Sequence, residues 1–498
     1  AQGTGVILTY SFPEGDNTAY DPDSYPPDNP FFNEWIFGNG WTALDAAQQA
    51  NFVDALDTWS NVADIDFVLA EDDASEVGEI RVAFNELVDF YGAGAWAYLP
   101  DDFPYAADIW INHLYIEEIF DEGTWYFNTL IHELGHALGL KHPFDTDGSG
   151  VVLAHEFDNL FYTVMTYTDH PDSEFDPNGP LYIAERYPTT PMVIDILSIQ
   201  YLYGPNMTFN ADDSVYTYQG DGEYFETIWD AGGEDTIVYN SATGGLIDLR
   251  EGAFSELGQP IVFDDFYGGP SIEDPRTVWI AYDAEIENAE GGDGDDLIFG
   301  NDLDNELSGF DGDDSLYGFA GNDELSGGAE SDSLYGGMGN DVLNGDEDND
   351  SLAGGGGNDR ADYQDATAGV TVNLADGNAQ DTIGAGTDTL SGIENLSGSA
   401  FGDLLTGSVG ANMLEGEAGN DVLNGGDDND LLHGGTGNDT LAGGAGDDLL
   451  SGGSGNDGID GGAGTDTVDY SDATTGVTVN LGKTSAQDTS GSGMDTLS

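Results

Sequence analysis

The chain has no cysteine. That excludes thiol catalysis, cysteine-ligated zinc and disulfide cross-links. It leaves secretion open, with stability outside the cell to come from something else, such as bound calcium. Basic residues are nearly as scarce: 7 Lys and Arg stand against 97 Asp and Glu, a formal net charge of −90. Phosphate backbones are gripped by Lys and Arg, so the balance argues against a nucleic-acid partner. An anionic membrane surface is disfavoured on the same ground. No apolar run approaches the ~18 residues of a membrane-crossing helix. The first residues, AQGTGVILTYSF, contain neither the basic nor the apolar segment of a secretory signal. The expectation is a chain already processed, or one exported by a route without such a signal. Histidine is rare as well: of seven, three (His132, His136, His142) fall within HELGHALGLKHP.

At 498 residues, 39% hydrophobic and 11% aromatic, the chain is long enough for two or more domains with a real core. Its character changes near residue 290. Before that the composition is mixed and aperiodic. Phe52, Leu56 and Trp59 stand at helical spacing, with Thr42 as the expected N-cap. GEIRVAFN alternates Ile80, Val82 and Phe84, the pattern of a half-buried strand; ADIWIN and VILTYSF also read as strands. PMVIDILSIQYLYGPN reads as a helix stopped by Gly204 and Pro205. Interleaved strands and helices make this part α/β or α+β.

From Gly291 a nine-residue period takes over, in eight units up to Gly354 and eight more from Gly398 to Gly461. Each follows G-G-x-G-x-D-x-U-x. Its first six residues suit a glycine-rich turn with exposed carbonyls, and its last three a short strand whose eighth residue points inward. The sixth residue supplies a hard oxygen donor suited to Ca²⁺. It is aspartate at Asp296, Asp314, Asp323, Asp332, Asp341, Asp350, Asp359, Asp403, Asp421, Asp430, Asp439, Asp448, Asp457 and Asp466, and asparagine at Asn305 and Asn412. A disordered Gly/Asp linker would need no apolar residue every nine positions. One ion per turn would be about sixteen calcium ions and leave a net charge of about −58, so calcium is not the whole reason for the acidity. The remainder reads as a solvated acidic surface compatible with a saline habitat. DYQDATAGVTVNL at 362 recurs as DYSDATTGVTVNL at 469. The final DTLS matches 388–391, where the first copy runs on into GIENLSG, so the sequence reads as cut inside a unit.

In GTWYFNTLIHELGHALGL, Phe127, Ile131, Leu134 and Leu138 give a helix its apolar contacts. His132 and His136, four apart, share one face one turn apart. That spacing suits two nitrogen ligands on one Zn²⁺. Gly139 can end the helix at positive φ, and the returning chain brings His142 as third ligand. Three neutral ligands leave a fourth position for water, whose proton Glu133 can take. The expected chemistry is peptide hydrolysis.

H-E-x-x-H-x-x-G-x-x-H resembles the metzincin zinc-protease signature, and Pro143 after the third histidine resembles its serralysin branch. TVMTYTDH resembles the methionine turn of that group. The resemblance implies Met165 beneath the metal and Tyr167 as an additional ligand in the free enzyme that moves to stabilise the oxyanion. LTYSFP, AWAYLPDD, IQYLYGPN and WDAGGEDT also follow family order. By resemblance, Ala95, Trp96 and Ala97 belong to an edge strand that pairs with extended substrate. Asp230, Gly232 and Asp235 would form an extra calcium turn joined to Asn210, Asp212 and Ser214. Asn210 and Asp212 replace the family's Arg and Gly there. The nonapeptides resemble RTX repeats, whose calcium-loaded turns form a parallel β-roll. The helical segment that commonly precedes LTYSFP and the family's C-terminal export region are not in this sequence, and the second repeat block exceeds the usual single roll. His113, His155, His170 and His433 match no ligand position and are taken as surface or packing residues.

The expectation is thus a metzincin-like α/β (α+β) zinc-protease domain at 1–207 and a β-rich connecting part at 208–290. An all-β parallel β-roll follows, with RTX blocks at 291–362 and 398–469, a β spacer at 363–397 and a truncated spacer copy at 470–498. The implied function is a secreted, extracellular metalloendopeptidase made as a zymogen, with one catalytic zinc and many structural calcium ions. It would be monomeric, with protein or peptide substrates and a proteinaceous inhibitor as a candidate partner, and without membrane insertion. The alternative is a calcium-dependent adhesive or surface-layer protein with an inactive peptidase domain.

Overall fold

A computed structural model describes residues 5–13, 41–70, 78–85, 94–97, 99–100, 107–118, 120–145, 152–172, 182–265, 269–471, 473–482, 485–489 and 493–498. Tyr98, Asp101 and Asp102 of AWAYLPDD lie outside them. The chain forms two compact units, one of residues 1–214, 222–233 and 251–285, the other of 215–221, 234–250 and 286–498.

The first unit carries a sheet of strands β1 (Val6–Ser11), β2 (Trp41–Thr42), β3 (Ile65–Leu69), β4 (Ile80–Asn85), β5 (Ala95–Ala97) and β6 (Ile109–Asn112). Its order is β3-β1-β4-β6-β5, with β2 paired to β4. The sequence pattern made β4 half-buried; all six of its residues are buried. It runs parallel to β1 and β6, and inner strands of parallel sheets are covered on both faces. Arg81 is tolerated there because it forks onto Asp108 at 2.8 and 2.6 Å. β5, antiparallel to β6, forms the edge.

Helix α1 (Ala46–Val62) buries Phe52, Leu56 and Trp59, as their spacing requires. Its N-cap is Asp45, not Thr42. The Asp45 carboxylate accepts from the N–H groups of Ala47 and Gln48, and the Gln48 amide oxygen accepts from the Asp45 N–H. This reciprocal box satisfies the free donors of the first turn, while Thr42 pairs in β2. Helix α2 (Trp125–Ala137) is capped by Thr124. Helix α3 (Val193–Tyr203) stops at Gly204, whose φ is +90°.

The second unit is a parallel β-roll. Alternate nonapeptides feed one twelve-stranded sheet and two seven-stranded sheets. Partners stand 18 residues apart, two nonapeptides per coil: Leu307 faces Leu325 and then Leu343, and Leu316 faces Leu334 and then Leu352. The eighth residue of every unit is buried except Val468, which is partly exposed. Each buried leucine contributes roughly 2 kcal/mol, so the period that identified the repeat is also its core. Several strands exceed the three residues expected and run on into the next glycine turn, as in Ser333–Gly339. There the turn backbones pair with the same turn one coil away.

Candidate metal centre and calcium turns

His132 and His136 lie on one face of α2, and His142 returns to them after the helix ends. Phe127, Ile131 and Leu134 are fully buried, fixing that face inward. Gly139 makes the reversal at φ +104°. One ligand nitrogen from each of the three histidines falls within 4.8 Å of the others. Among the described residues these three are the group whose metal-ligating side chains converge in this way.

The hydrogen bonds settle which ring nitrogens remain free. His132 Nδ1 is 2.7 Å from the carbonyl oxygen of Val164, and His136 Nδ1 is 2.9 Å from that of Leu140. His142 Nδ1 is 3.0 Å from the Asp145 carboxylate. Carbonyls and carboxylates only accept, so each Nδ1 carries a proton and Nε2 is the ring nitrogen left to ligate a metal. His136 Nε2 and His142 Nε2 face each other at 3.0 Å. That approach suits two nitrogen donors turned toward one shared cation. Burial pushes His132 down to about 3 and His136 down to about 4, so both rings are neutral near neutral pH. The donor set fits Zn²⁺: three imidazoles and an open side.

Glu133, 5% exposed, follows the first ligand. Burial pushes its carboxyl up to about 8, opposed by a hydrogen bond from the Ala97 N–H. Its Oε2 has no hydrogen-bond partner within the protein. A buried acceptor left open is costly unless a water or substrate group meets it. Ala97 belongs to β5, so the sheet edge and the carboxylate are tied together.

Tyr167, 63% exposed, stacks on His132 with ring centroids 5.6 Å apart and lies 4.6 Å from the His142 ring. Met165 is 1% exposed beneath α2. A side chain at Gly135 would collide with the Met165 sulfur, so glycine is what lets the turn approach the helix. Beside Tyr167 opens a cleft of about 570 Å³, lined by Trp125, Asp169, Tyr182, Ile183, Glu185 and Tyr187 among others.

Several contributors carried no signal in the motif. Asp195 on α3 accepts from the Thr163 hydroxyl at 2.6 Å, the Val164 N–H at 2.7 Å and the Met192 N–H at 3.0 Å. Phe144 stacks on His142 at 4.9 Å and 6°. Asp145, three residues from His142, was within reach of a spacing argument; Asp195, some thirty residues from Thr163 and Val164, was not. Of the histidines outside the motif, His170 is buried and close to Asp274, while His155 is exposed.

In the roll, Asp314 illustrates the repeating arrangement. Its Oδ1 accepts the N–H of Asp296 at 2.6 Å, while its buried Oδ2 has no hydrogen-bond partner. The same orphaned oxygen recurs at Asp323, Asp332, Asp341, Asp350, Asp359, Asp421, Asp430, Asp439, Asp448 and Asp457. A methyl added at Gly425 would strike both Oδ2 of Asp430 and the carbonyl oxygen of Gly443, so carboxylate and carbonyl oxygens crowd one small cradle. Such a ring of hard oxygens fits Ca²⁺. Asp296 and Asp403 differ, with Oδ2 accepting from the N–H groups of Gly292 and Ser399. Asp466 is only partly buried. Asp230 is buried with Oδ1 accepting from the Gly232 N–H at 3.0 Å, and Asp235 is buried, whereas Asp212 is exposed.

One α/β unit with three converging histidines and one parallel β-roll unit make up the chain. Comparison with known proteins agrees. The RTX calcium-binding nonapeptide repeat matches residues 290–325, 299–334, 317–352, 326–361, 397–432 and 433–468. The chain is 30% identical over 336 residues to serralysin of Proteus mirabilis, covering 61% of each protein. It is 32% identical over 324 residues to serralysin of Photorhabdus laumondii, covering 60% of each. It is 33% identical over 313 residues to serralysin A of Dickeya chrysanthemi, covering 59% of each. The chain thus spans about 60% of the length of the curated relatives it matches. It is a homologue of the serralysin metalloproteases carrying RTX calcium-binding repeats.

Proposed function

We propose that the chain is a secreted zinc-dependent endopeptidase whose β-roll is folded and stabilised by calcium. The observation that carries the reading is the convergence of three imidazoles, each with Nδ1 held by a hydrogen bond, beside a buried glutamate with an open oxygen. Zinc held by His132, His136 and His142 would supply Lewis acidity to a substrate carbonyl and to a water molecule.

The chain's own residues divide the remaining work. Glu133 Oε2, open and buried, would take a proton from water and deliver it to the departing amine. The Ala97 N–H orients that carboxylate. The β5 edge strand gives an extended peptide a strand to lie along, which gives affinity with little sequence preference. The Tyr167 hydroxyl, on an exposed side chain over the histidines, is available to an oxyanion. The cleft beside it accommodates a substrate side chain.

Secretion fits the acidic repeats. At low calcium the roll aspartates repel one another, and entry into calcium-rich medium removes that repulsion. Homology to serralysins and to RTX repeats supports this reading. The decisive experiment is casein hydrolysis by the zinc- and calcium-loaded chain, compared with Glu133→Ala. Hydrolysis by the parent and none by the variant is expected. An inactive parent that is fully metal-loaded would favour an adhesive role instead.

A further inference from the structure

Between the two repeat blocks the nine-residue pattern stops for about 35 residues, yet the roll does not. On one side Arg360–Asp362 pairs with Asn395–Ser397, which pairs in turn with Met413–Glu415. On the other side Ser351–Gly357 pairs with Thr387–Ser391. Leu390 and Leu396 take the inward positions of Leu352 and Ala361, at 4% and 0% exposure. The spacer is therefore one enlarged coil of the same solenoid.

Its aspartate is built differently. Asp388 continues the ladder: its Oδ1 accepts the Asp350 N–H at 3.1 Å, just as Asp350 Oδ1 accepts the Asp332 N–H at 2.9 Å. From Asp314 to Asp359 the second carboxylate oxygen is orphaned. In Asp388 that oxygen is met by the Tyr363 hydroxyl at 3.2 Å and by the Thr382 hydroxyl at 3.1 Å, whose one proton it shares with the Gly386 carbonyl at 2.9 Å. All three residues are buried. The same device recurs in the second copy of the spacer sequence: Asp495 Oδ1 accepts the Asp457 N–H at 3.0 Å, and Oδ2 accepts from the Thr489 hydroxyl at 2.7 Å. Burial, and then the charge of Asp495, push the nearby Tyr470 phenol up, but its hydroxyl makes no hydrogen bond, so only the threonine half of the device is closed here.

We propose that the spacer coil is closed at Asp388 without metal: the hydroxyls of Thr382 and Tyr363 occupy the oxygen that calcium takes in the preceding coils, and Asp495 repeats the arrangement with Thr489. The inference rests on the calcium reading of the repeats. A buried carboxylate needs compensation, and O–H donors supply it at any calcium concentration, whereas a cation supplies it only when bound. The segment joins two calcium-dependent ladders into one roll by hydrogen bonds that persist when calcium is scarce.

The test counts calcium per full-length chain after equilibration and desalting, by elemental analysis. Asp332→Asn is expected to lose about one ion or more, because its oxygen is a ligand. Asp388→Asn is expected to retain the parental number while unfolding at a lower temperature. Loss of an ion in Asp388→Asn, with loss also in Asp332→Asn, overturns the proposal. Full retention in Asp332→Asn instead overturns the calcium reading on which it rests. Should Asp388→Asn not fold, Asp495→Asn puts the same question to the second copy, with the same two outcomes.

Discussion

Val164 connects Asp195 to His132. Its N–H donates to the Asp195 carboxylate at 2.7 Å, and its carbonyl accepts the His132 Nδ1 proton, also at 2.7 Å. The backbone of one residue thus couples a buried acid on α3 to the tautomer of the first proposed zinc ligand. Burial pushes Asp195 up to about 6, with the three hydrogen bonds it accepts working against that rise.

Asp195→Asn keeps the shape but weakens those bonds. Zinc affinity, measured by competition with a chelator, should fall about 10–100-fold, the usual effect of losing an outer partner of a ligating histidine. A variant that melts earlier but holds zinc as tightly as the parent would show that Asp195 serves the fold alone.

Tyr167→Phe removes one hydroxyl from an exposed ring while leaving its stacking on His132. Turnover should drop by roughly 100-fold, the scale of one lost oxyanion donor, with KM and zinc content little changed. Full turnover would take Tyr167 out of the mechanism.

The metal-free roll should respond to acid in the direction opposite to most proteins. Burial pushes Asp314, Asp323, Asp332, Asp421 and Asp457 up to about 7 and Asp350 up to about 8. The unfolded chain releases these protons near pH 3.8, so between there and about 7 the folded roll binds more of them. Its stability without calcium therefore falls as pH rises through that window. In calcium-free buffer, far-UV circular dichroism should show sheet structure gained on going from about pH 7.5 to about pH 5. With calcium bound the dependence should largely vanish.

Leu334→Ala empties a fully buried position between Leu316 and Leu352. Denaturant unfolding in calcium should show a loss of about 2–5 kcal/mol. Val468→Ala, at the one partly exposed eighth position, should cost much less.

The roll was legible in the sequence because each coil repeats one local rule, glycine turn, acid, inward leucine, and needs only its neighbours. The histidine spacing was legible for a similar reason: a helix fixes which residues share a face. The cap of α1 was misread because both Thr42 and Asp45 suit an N-cap, and strand pairing decided between them. The full burial of β4 was hidden because alternation in a short strand does not reveal what covers its polar face.

The sequence by itself determined which donors are on offer, imidazole nitrogens in one stretch and carboxylate oxygens in many, since donor type is a property of side chains. Tertiary structure alone decided which oxygens are left for a cation. Asp350 and Asp388 are the same residue type in the same ladder, but only Asp388 has two hydroxyls folded over it from 6 and 25 residues away. It also decided the hold on His132, which comes through Val164 from an acid that no local pattern links to the motif. Hydrogen bonds between distant segments exist only once the backbone has closed on itself.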